Sequence, residues 1–406
     1  MLLIPSESYR APDFMEAAAK LGVEVVVGTD EASPLEELRP GKVAAFNFAD
    51  PEAGADQIEA FAERWPLDTI FAVDDAGTRL AAHASRRLEL PHNPVAAVEA
   101  TRNKALLRER LAGAGVPSPP YWVVPTDAEP AAVAGELVFP VVVKPLALSA
   151  SQGVIRADDA VSFAEALARV GRILGDPDVR EGCGGLTDRV LVEGYIPGDE
   201  VSLEGVLADG RLRVLALFDK PDPLVGPYFE ETIYVTPSRL DEERQREVAE
   251  VTERATAALG LRDGPVHAEL RLNEQGAFPV DIAARSIGGL CSRTLRFGTG
   301  MSLEELLLRH AMGMEVASYE RDAKAAGVMM LPIPHTGVLR AVDGVAEAQM
   351  VELIESVTIT ARVGQRIVAL PEGNEYLGFV FARGETPEGV EAALREAHAR
   401  LRFEIA

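Results

Sequence analysis

Residues 267–285, HAELRLNEQGAFPVDIAAR, are the most informative segment of the chain for its fold. Apolar and polar residues alternate on both sides of a turn-like segment around Gln275, a pattern typical of a β-hairpin. In such a hairpin Glu269 and Asp281 would lie opposite each other on neighbouring strands. Two facing carboxylates repel unless a cation lies between them, and oxygen ligands favour Mg²⁺ or Mn²⁺. The stretch therefore predicts a metal site, with an exposed hairpin bearing like charges as the alternative.

Two basic side chains flank this predicted metal site. His267 lies on the same strand face as Glu269, because residues two apart share a face. Arg285 follows Asp281 by four residues, close enough for its guanidinium to bind a phosphate or carboxylate through two hydrogen bonds. The spacing therefore places His267 on the face of the metal site and Arg285 within reach of a phosphate or carboxylate there.

An earlier segment has the character of a phosphate-binding loop. Lys144 ends the apolar run at residues 141–143 and comes just before a loop of small residues, SASQG at 149–153. Backbone N–H groups and hydroxyls of such a loop can bind phosphate oxygens, which a lysine would neutralise. A lysine reaching the surface beside an ordinary turn is the alternative interpretation.

Residues 191–202, LVEGYIPGDEVS, carry two glutamates on either side of a linker that contains glycine and proline. The linker backbone could hydrogen-bond an adenine, and Glu200 could accept hydrogen bonds from ribose hydroxyls. A strand–turn–strand with solvated acids is the simpler interpretation of this stretch by itself.

The first hundred residues alternate strand-like and helical runs, which is typical of a parallel sheet covered by helices. Asp74 and Asp75 follow one predicted strand, at the sheet edge where ligands collect. Capping of a helix N-terminus is the alternative role for this pair. The predicted elements here are strands at residues 2–4, 23–27 and 69–73 and helices at 14–21, up to Leu88, and at 101–115.

Changes of pattern divide the chain into three predicted parts. An α/β domain covers residues 1–115 and a small central lobe covers 116–195. A larger domain rich in strands covers 196–406, and its last part, 330–406, is a subdomain. If the reaction forms an intermediate that water would hydrolyse, the site has to close over it, and the proline-rich loop at 219–228 and the loop at 149–153 are then the predicted lids.

Composition narrows the class of protein. The 406 residues include 40 Lys plus Arg and 64 Asp plus Glu, a formal net charge of −24. The negative electrostatic potential of such a charge repels nucleic acids and anionic membranes, so neither is expected as a partner. Two cysteines can form at most one disulfide bond, which is too few to stabilise a chain of this size. We expect Cys183 and Cys291 to be packing residues. The absence of a long apolar run predicts a soluble, cytoplasmic protein.

The order of these features is more specific than any one of them. They are, in chain order, Lys104 on a predicted helix, Lys144 before the small-residue loop, the linker between Glu193 and Glu200, and the carboxylates and arginine of 267–285. In this order the sequence resembles the ATP-grasp superfamily over essentially its whole length. The resemblance implies a Rossmann-like parallel-sheet domain, a central lid lobe and a C-terminal antiparallel-sheet domain. It also implies ATP and Mg²⁺ as cofactors, with Mn²⁺ as an alternative metal, and a homodimer.

The resemblance further implies a role for each candidate residue. The implied nucleotide contacts are Lys104 and Lys144 for the α and β phosphates, Ser149, Ser151 and Gly153 for the loop closing over the β and γ phosphates, Glu193 with the backbone of Tyr195 and Ile196 for adenine, and Glu200 for ribose. The implied reaction residues are Glu269 and Asp281 for Mg²⁺, Arg285 and His267 for an acyl-phosphate, and Lys220 for the γ-phosphate.

The implied reaction joins a carboxylate to an amine and releases ADP and phosphate. The HAE and AAR motifs at 267–269 and 283–285 are similar to the L-amino acid ligase branch, which forms dipeptides. Many members carry Glu where Asp281 stands, and Asn, a metal ligand, where Ala283 stands. An ATP-grasp carboxylase or ribonucleotide ligase and an inactive ATP-binding protein are the alternatives. Gly288 and Gly289 are expected to leave room for a bulky substrate, which a Gly289→Trp substitution would reduce.

Overall fold

The N-terminal part of the chain is a four-stranded parallel sheet with the strand order β3-β2-β1-β4. The computed structural model describes residues 1–32 and 40–406. Leu2 packs with helix α1 on one face of the sheet, and Leu3 packs with helices α2 and α3 on the other. The elements are β1 (Leu2–Leu3), α1 (Ala11–Leu21), β2 (Val27–Thr29), β3 (Val43–Ala45), α2 (Pro51–Ala62), β4 (Phe71–Ala72), α3 (Asp75–Arg87), α4 (Val95–Arg102) and α5 (Lys104–Gly113).

Two predicted elements of this part differ from the structure. The strand predicted at 23–27 begins only at Val27, because the N–H of Val23 donates to Ala18 and helps to close helix α1. The helix predicted at 101–115 is interrupted at Asn103, whose backbone is extended. The Asn103 side chain accepts hydrogen bonds from the next helix, so Lys104 is the first residue of α5 rather than a residue within a longer helix.

The central lobe is a four-stranded antiparallel sheet in the order β5-β8-β6-β7. Along β6 the side chains alternate: Val141 and Val143 pack into the lobe core, whereas Val142 packs against Leu224 and Phe229. Lys144 therefore points the same way as Val142. The elements are β5 (Tyr121–Pro125), α6 (Pro130–Ala134), β6 (Val141–Pro145), β7 (Ile155–Ala157), α7 (Ala160–Gly175), α8 (Pro177–Gly182) and β8 (Arg189–Gly194).

The rest of the chain is built on an eight-stranded antiparallel sheet, in the order β13-β12-β9-β10-β11-β16-β20-β18. A two-stranded sheet (β14-β15) and a three-stranded sheet (β19-β17-β21) accompany it. Its elements are β9 (Asp199–Ala208), β10 (Arg211–Asp219), β11 (Ile233–Thr236), α9 (Glu242–Leu259), β12 (Gly264–Asn273), β13 (Gly276–Ala283), a 3₁₀ turn (Cys291–Thr294), β14 (Arg296–Phe297), β15 (Met301–Ser302), α10 (Leu303–Ala311), β16 (Ala325–Leu331), β17 (Gly337–Asp343), α11 (Val345–Gln349), β18 (Ile354–Ile359), β19 (Arg366–Ile367), β20 (Gly378–Gly384), α12 (Pro387–Arg400) and β21 (Arg402–Ile405).

The predicted fold class is confirmed: a parallel-sheet part, a small central sheet and a large antiparallel sheet follow one another along the chain. The predicted hairpin register is also confirmed, since Glu269 pairs with Asp281 across β12 and β13. Within the described residues, no helix is both long and apolar enough to cross a membrane.

Arg108 on α5 joins the three parts of the molecule. Its side chain is 1% exposed and its Nε donates to Glu193 Oε2 at 2.7 Å in the central lobe. The two Nη atoms donate to the carbonyls of Pro279 and Val280 on β13, at 2.8 and 2.9 Å. One buried guanidinium thus fixes the central lobe and the hairpin to the end of the N-terminal part.

We expect an Arg108→Met substitution to lower the free energy of unfolding by about 3–5 kcal/mol, because it leaves a buried carboxylate and two carbonyls without their donor. Urea denaturation measures the change. The control is Arg110→Ala on the same helix, where a partly exposed side chain donates to Leu259 alone and the expected loss is below about 1 kcal/mol. Equal losses in the two variants would contradict the role given to Arg108.

Candidate active site

A cavity of about 430 Å³ lies where the parallel sheet, the central lobe and the large sheet meet. All the residues predicted for the site line it except Gly153 and Lys220. The lining residues among them are Lys104, Lys144, Ser149, Ser151, Glu193, Tyr195, Ile196, Glu200, His267, Glu269, Asp281 and Arg285.

At one end of the cavity Lys144 and Glu193 form a buried ion pair. Burial alone would raise the pKa of Glu193, but the charges of Arg108 and Lys144 outweigh it and lower that pKa to about 2. Burial lowers the pKa of Lys144, and the carboxylate beside it only partly offsets this effect. The Glu193 carboxylate is therefore ionised and already has two basic partners.

The linker after Glu193 forms one side of a flat apolar slot. Tyr195 stacks on Phe229 with ring centroids 6.4 Å apart, and Val142 and Leu224 complete the slot. The N–H of Tyr195 donates to Pro140, and the carbonyl of Ile196 accepts from Arg271. These aromatic and aliphatic faces suit a planar heterocycle. The proline-rich loop predicted as a lid supplies Leu224 to this wall.

The loop at 149–153 is fixed to the C-terminal subdomain through what we call the lid contact, formed by Gln152, Gly153 and Arg169 against Pro371 and Glu372. The N–H of Gly153 donates to the Pro371 carbonyl at 2.8 Å, so this group does not face the cavity. Gln152 Nε2 donates to the Glu372 carbonyl at 2.7 Å. Arg169 binds the Glu372 carboxylate through two hydrogen bonds, at 2.6 and 2.9 Å.

Three carboxylates surround Lys220 beneath the cavity. Lys220 Nζ lies 2.7 Å from Glu200 and 3.1 Å from Glu269, and it also bonds Glu231. Burial would lower the pKa of Lys220, but the three negative charges outweigh it and raise that pKa well above its usual value. Lys220 is therefore charged and forms the floor under the cavity.

Glu231 is a cavity residue that sequence reasoning missed. Burial and the neighbouring charge of Glu269 raise the pKa of Glu231 to about 7, while Glu269, close to Lys220 and His267, stays ionised. Glu200, Glu231 and Glu269 each offer an oxygen within 4.8 Å of the others. The pair Glu230-Glu231 directly after the proline-rich loop was the signal available in the sequence.

The carboxylates of Glu269 and Asp281 suit a hard cation. Both line the cavity from paired strands, and each is held by a lysine: Asp281 binds Lys104 at 2.8 Å and Glu269 binds Lys220. Carboxylate oxygens, whose negative charge is stabilised by a nearby cation, are typical ligands of Mg²⁺ and Mn²⁺. Ala283 also lines the cavity and offers no ligand atom.

His267 lies between two glutamates. Its Nδ1 is 3.3 Å from Glu204 and its Nε2 is 3.7 Å from Glu269. Burial would lower the pKa of His267, but the two carboxylates outweigh it and raise that pKa. Glu204, which the sequence reasoning also missed, accepts the N–H of Ile287 at 2.9 Å as well.

The edge of the parallel sheet forms the opposite wall. Asp74 stands at the N-cap of α3 but makes no capping bond with its side chain; it accepts from Ser8 instead. Asp75 binds Arg285 at 3.0 Å. Both aspartates line the cavity while standing at the N-cap position and in the first turn of α3, so the structure fits both interpretations of this pair and a contact with substrate stays a prediction.

The far end of the cavity is apolar and includes Tyr376 and Cys291. Burial raises the pKa of Cys291 to about 12, which agrees with its prediction as a packing residue. Gly289 has a φ of +63°, and a Cβ added there would lie 3.0 Å from Phe379. A Gly289→Trp substitution would thus strain the backbone, so it does not isolate an effect of cavity size.

Comparison with known families agrees with this geometry. A model of the ATP-grasp domain matches residues 137–294, one of the ATP-grasp N-terminal domain matches 15–92, and one of the L-amino acid ligase C-terminal domain 2 matches 329–406. The chain belongs to the ATP-grasp superfamily. Within it, this ATP-grasp protein is similar to the L-amino acid ligase branch, as the sequence motifs predicted.

Three similar proteins illustrate the relationship. The structure matches that of an L-amino acid ligase from Bacillus licheniformis with a TM-score of 0.83 and 26% identity, over 100% of this chain and 98% of that one. Alanine–anticapsin ligase of Bacillus subtilis is 30% identical over 67% of this chain, which spans only 58% of that ligase's length. A carboxyaminoimidazole ribonucleotide synthase from Aspergillus clavatus, solved with ATP, shares the fold with a TM-score of 0.73 at 17% identity, over 99% of this chain and 98% of that one.

We expect a Glu372→Gln substitution to raise the rate of amide hydrogen exchange in residues 152–154 by about two- to five-fold, because the exposed ion pair with Arg169 adds at most about 1 kcal/mol to the lid contact. Exchange followed by mass spectrometry measures the change. The control is Glu385→Gln, whose partner Lys324 is 3.9 Å away at the surface. Unchanged exchange in Glu372→Gln would show that the pair does not hold the lid.

Proposed function

We propose that this ATP-grasp protein is an ATP-dependent carboxylate–amine ligase that joins two amino acids through an acyl-phosphate and releases ADP and phosphate. The observation that carries the proposal is one cavity lined by two lysines, a small-residue loop, two paired carboxylates and an arginine, with Lys104 bonded directly to Asp281. The similarity to an L-amino acid ligase over the whole chain supports amino acids as the substrate class.

The nucleotide would lie along the central lobe. Adenine would lie in the slot between Tyr195 and Leu224, and Glu200, which lines the same cavity, would accept hydrogen bonds from the ribose. Lys104 and Lys144 would turn from their carboxylate partners to the α and β phosphates. Ser149 and Ser151, which face the cavity, would contact the β and γ phosphates.

Glu269 and Asp281 would hold Mg²⁺ when the nucleotide binds, and this ion would draw negative charge from the transferred phosphoryl group. As Lys104 moves to a phosphate, Asp281 is freed for the metal, so the exchange of partners conserves charge. Mn²⁺ satisfies the same oxygen donors.

The carboxylate substrate would attack the γ-phosphoryl group in line, and the amine substrate would then displace phosphate from the acyl carbon. Arg285 would stabilise the negative charge that develops on the acyl-phosphate. His267, whose Nδ1 is held by Glu204, would donate a hydrogen bond from Nε2 to the same group. The lid contact would keep water from the acyl-phosphate until the amine reacts.

Phosphate release from the purified protein with Mg²⁺ and ATP, across pairs of the twenty L-amino acids, tests the proposal. Release accompanied by a dipeptide mass is the expected result. No pair exceeding the background of ATP alone, although ATP binds, would contradict the amino acid assignment and favour a different substrate or an inactive ATP-binding protein.

A Glu269→Gln substitution is expected to lower kcat by at least about 100-fold, because a carboxamide is a much poorer ligand for Mg²⁺. The matched control is Glu274→Gln, an exposed residue in the turn of the same hairpin, which is expected to keep the activity. Steady-state kinetics with the best pair of amino acids compares the two. Equal kcat values in both variants would remove Glu269 from the reaction.

Glu231 predicts a pH dependence. Because its pKa is raised to about 7, its carboxyl is protonated below that pH and ionised above it. If the ionised form binds the ammonium group of a substrate, the Kd of that amino acid, measured by calorimetry without metal so that Glu269 keeps the charge that raises this pKa, falls as the pH rises from about 6 to 8. A Glu231→Gln variant should bind the amino acid more weakly, with no such change. A pH profile that survives this substitution would assign the titration to another group.

The homodimer implied by the resemblance also stays a proposal. Sedimentation equilibrium of the purified chain tests it, since a monomer would sediment with the 43.5 kDa mass of one chain.

A further inference from the structure

Asp75 lies between two arginines at the edge of the cavity. It is the first residue of α3, directly after strand β4 and the N-cap residue Asp74. Its Oδ2 accepts from Arg285 Nε at 3.0 Å and lies 3.0 Å from Arg285 Nη2, and its Oδ1 is 3.2 Å from Arg102 Nη1. All three side chains are less than one-fifth exposed.

These contacts fix the plane of the Arg285 guanidinium. Asp75 engages the Nε and Nη2 edge, while Nη1 donates to the Ser286 carbonyl at 2.9 Å. A guanidinium has five N–H groups, so the remaining ones on Nη1 and Nη2 are free to address an oxygen in the cavity that Arg285 lines. The orientation of that arginine thus depends on the first residue of α3, in the N-terminal part, as well as on the carbonyl of the residue that follows it in the chain.

The second arginine connects the same carboxylate to the lid. Arg102 Nη2 lies 3.5 Å from the carbonyl of Ala147, in the segment that leads from β6 to the loop at 149–153. Without an anion between them, Arg102 and Arg285 would be like charges facing each other in a partly buried place. Although burial opposes it, the charge of the two arginines keeps the pKa of Asp75 well below its usual range.

We infer that Asp75 is a positioning residue, which holds Arg285 in the orientation that stabilises the acyl-phosphate and joins that arginine, through Arg102, to the base of the lid. The inference rests on the proposed function, because that function assigns Arg285 to the developing charge. Asp75 itself contacts no reacting atom in this arrangement. Its contribution passes entirely through the two guanidinium groups.

An Asp75→Asn substitution tests this role, because it keeps the shape of the side chain and removes its charge. We expect kcat to fall by about 10- to 100-fold, with the KM for ATP changing by less than about three-fold, since a misplaced group lowers the rate without weakening nucleotide contacts. Rates are counted per ATP-binding site, so that unfolded protein does not contribute. The control is Asp56→Asn on α2, an exposed aspartate that also pairs with an arginine, and it should keep the wild-type kcat.

A double-mutant cycle separates positioning from a structural role. If Asp75 acts through Arg285, adding Asp75→Asn to Arg285→Met should lower kcat no further than Arg285→Met alone. A double variant slower than Arg285→Met by the full factor of Asp75→Asn would overturn the inference. So would a wild-type kcat in Asp75→Asn itself.

A binding measurement keeps the inference distinct from the proposed function. Calorimetry of inorganic phosphate added to the protein with MgADP reports on Arg285 without turnover. Asp75→Asn should weaken phosphate binding by about 10-fold and have no further effect beside Arg285→Met. If no amino acid pair is turned over but this cycle shows coupling, the proposed function fails and the positioning role stands. If turnover occurs and neither cycle shows coupling, the positioning role alone fails.

Discussion

Opposite charges buried between separate sheets hold the cavity of this protein together. Arg108 of the N-terminal part is bonded to Glu193 of the central lobe, and Asp75, the first residue of α3, is bonded to Arg285, just after strand β13 of the large sheet. A buried ion is costly without its partner, so none of these parts can shift without exposing or orphaning a charge. The geometry of the cavity is therefore set by these ion pairs as much as by the apolar cores around it.

The same pairing prepares the cavity for a charged ligand. Each lysine at the proposed phosphate site is paired with a carboxylate. Lys104 is paired with Asp281, which is proposed to bind Mg²⁺, and Lys144 is paired with Glu193, which also bonds Arg108. A phosphate that arrives with a cation can replace both halves of the Lys104–Asp281 pair at once. When the ligand binds, Lys104 and Asp281 then exchange one charged partner for another, and no new unpaired charge is buried. The free-energy cost of rearranging the site is therefore low.

Local pattern was enough to predict the residues whose position follows from strand alternation. The pairing of Glu269 with Asp281 and the place of Lys144 at a strand end both depend on a repeat of two residues, which is visible in the sequence. The helix break at Asn103 was missed, although asparagine is a favoured cap, because the leucines after it continued a helical pattern.

Residues whose role depends on distant neighbours could not be predicted in this way. Glu204 lies on the strand next to His267 only because β9 and β12 are adjacent in the large sheet, and Glu231 becomes a cavity residue only once the proline-rich loop has folded over the lobe. Gly153 looked like a phosphate-loop glycine, but its N–H is bonded to Pro371, more than two hundred residues later. Pairings across such distances carry no local signal.

The lid contact has a consequence for the order in which the protein becomes complete during its synthesis. Every residue predicted for the site precedes Ser286, whereas Pro371 and Glu372, on which the lid rests, come far later in the chain. A ribosome-bound chain that has been synthesised only as far as the end of the hairpin would contain the residues proposed to bind nucleotide and metal. It would have no surface against which the lid could close. The lid contact can therefore form only after the last part of the chain has been synthesised.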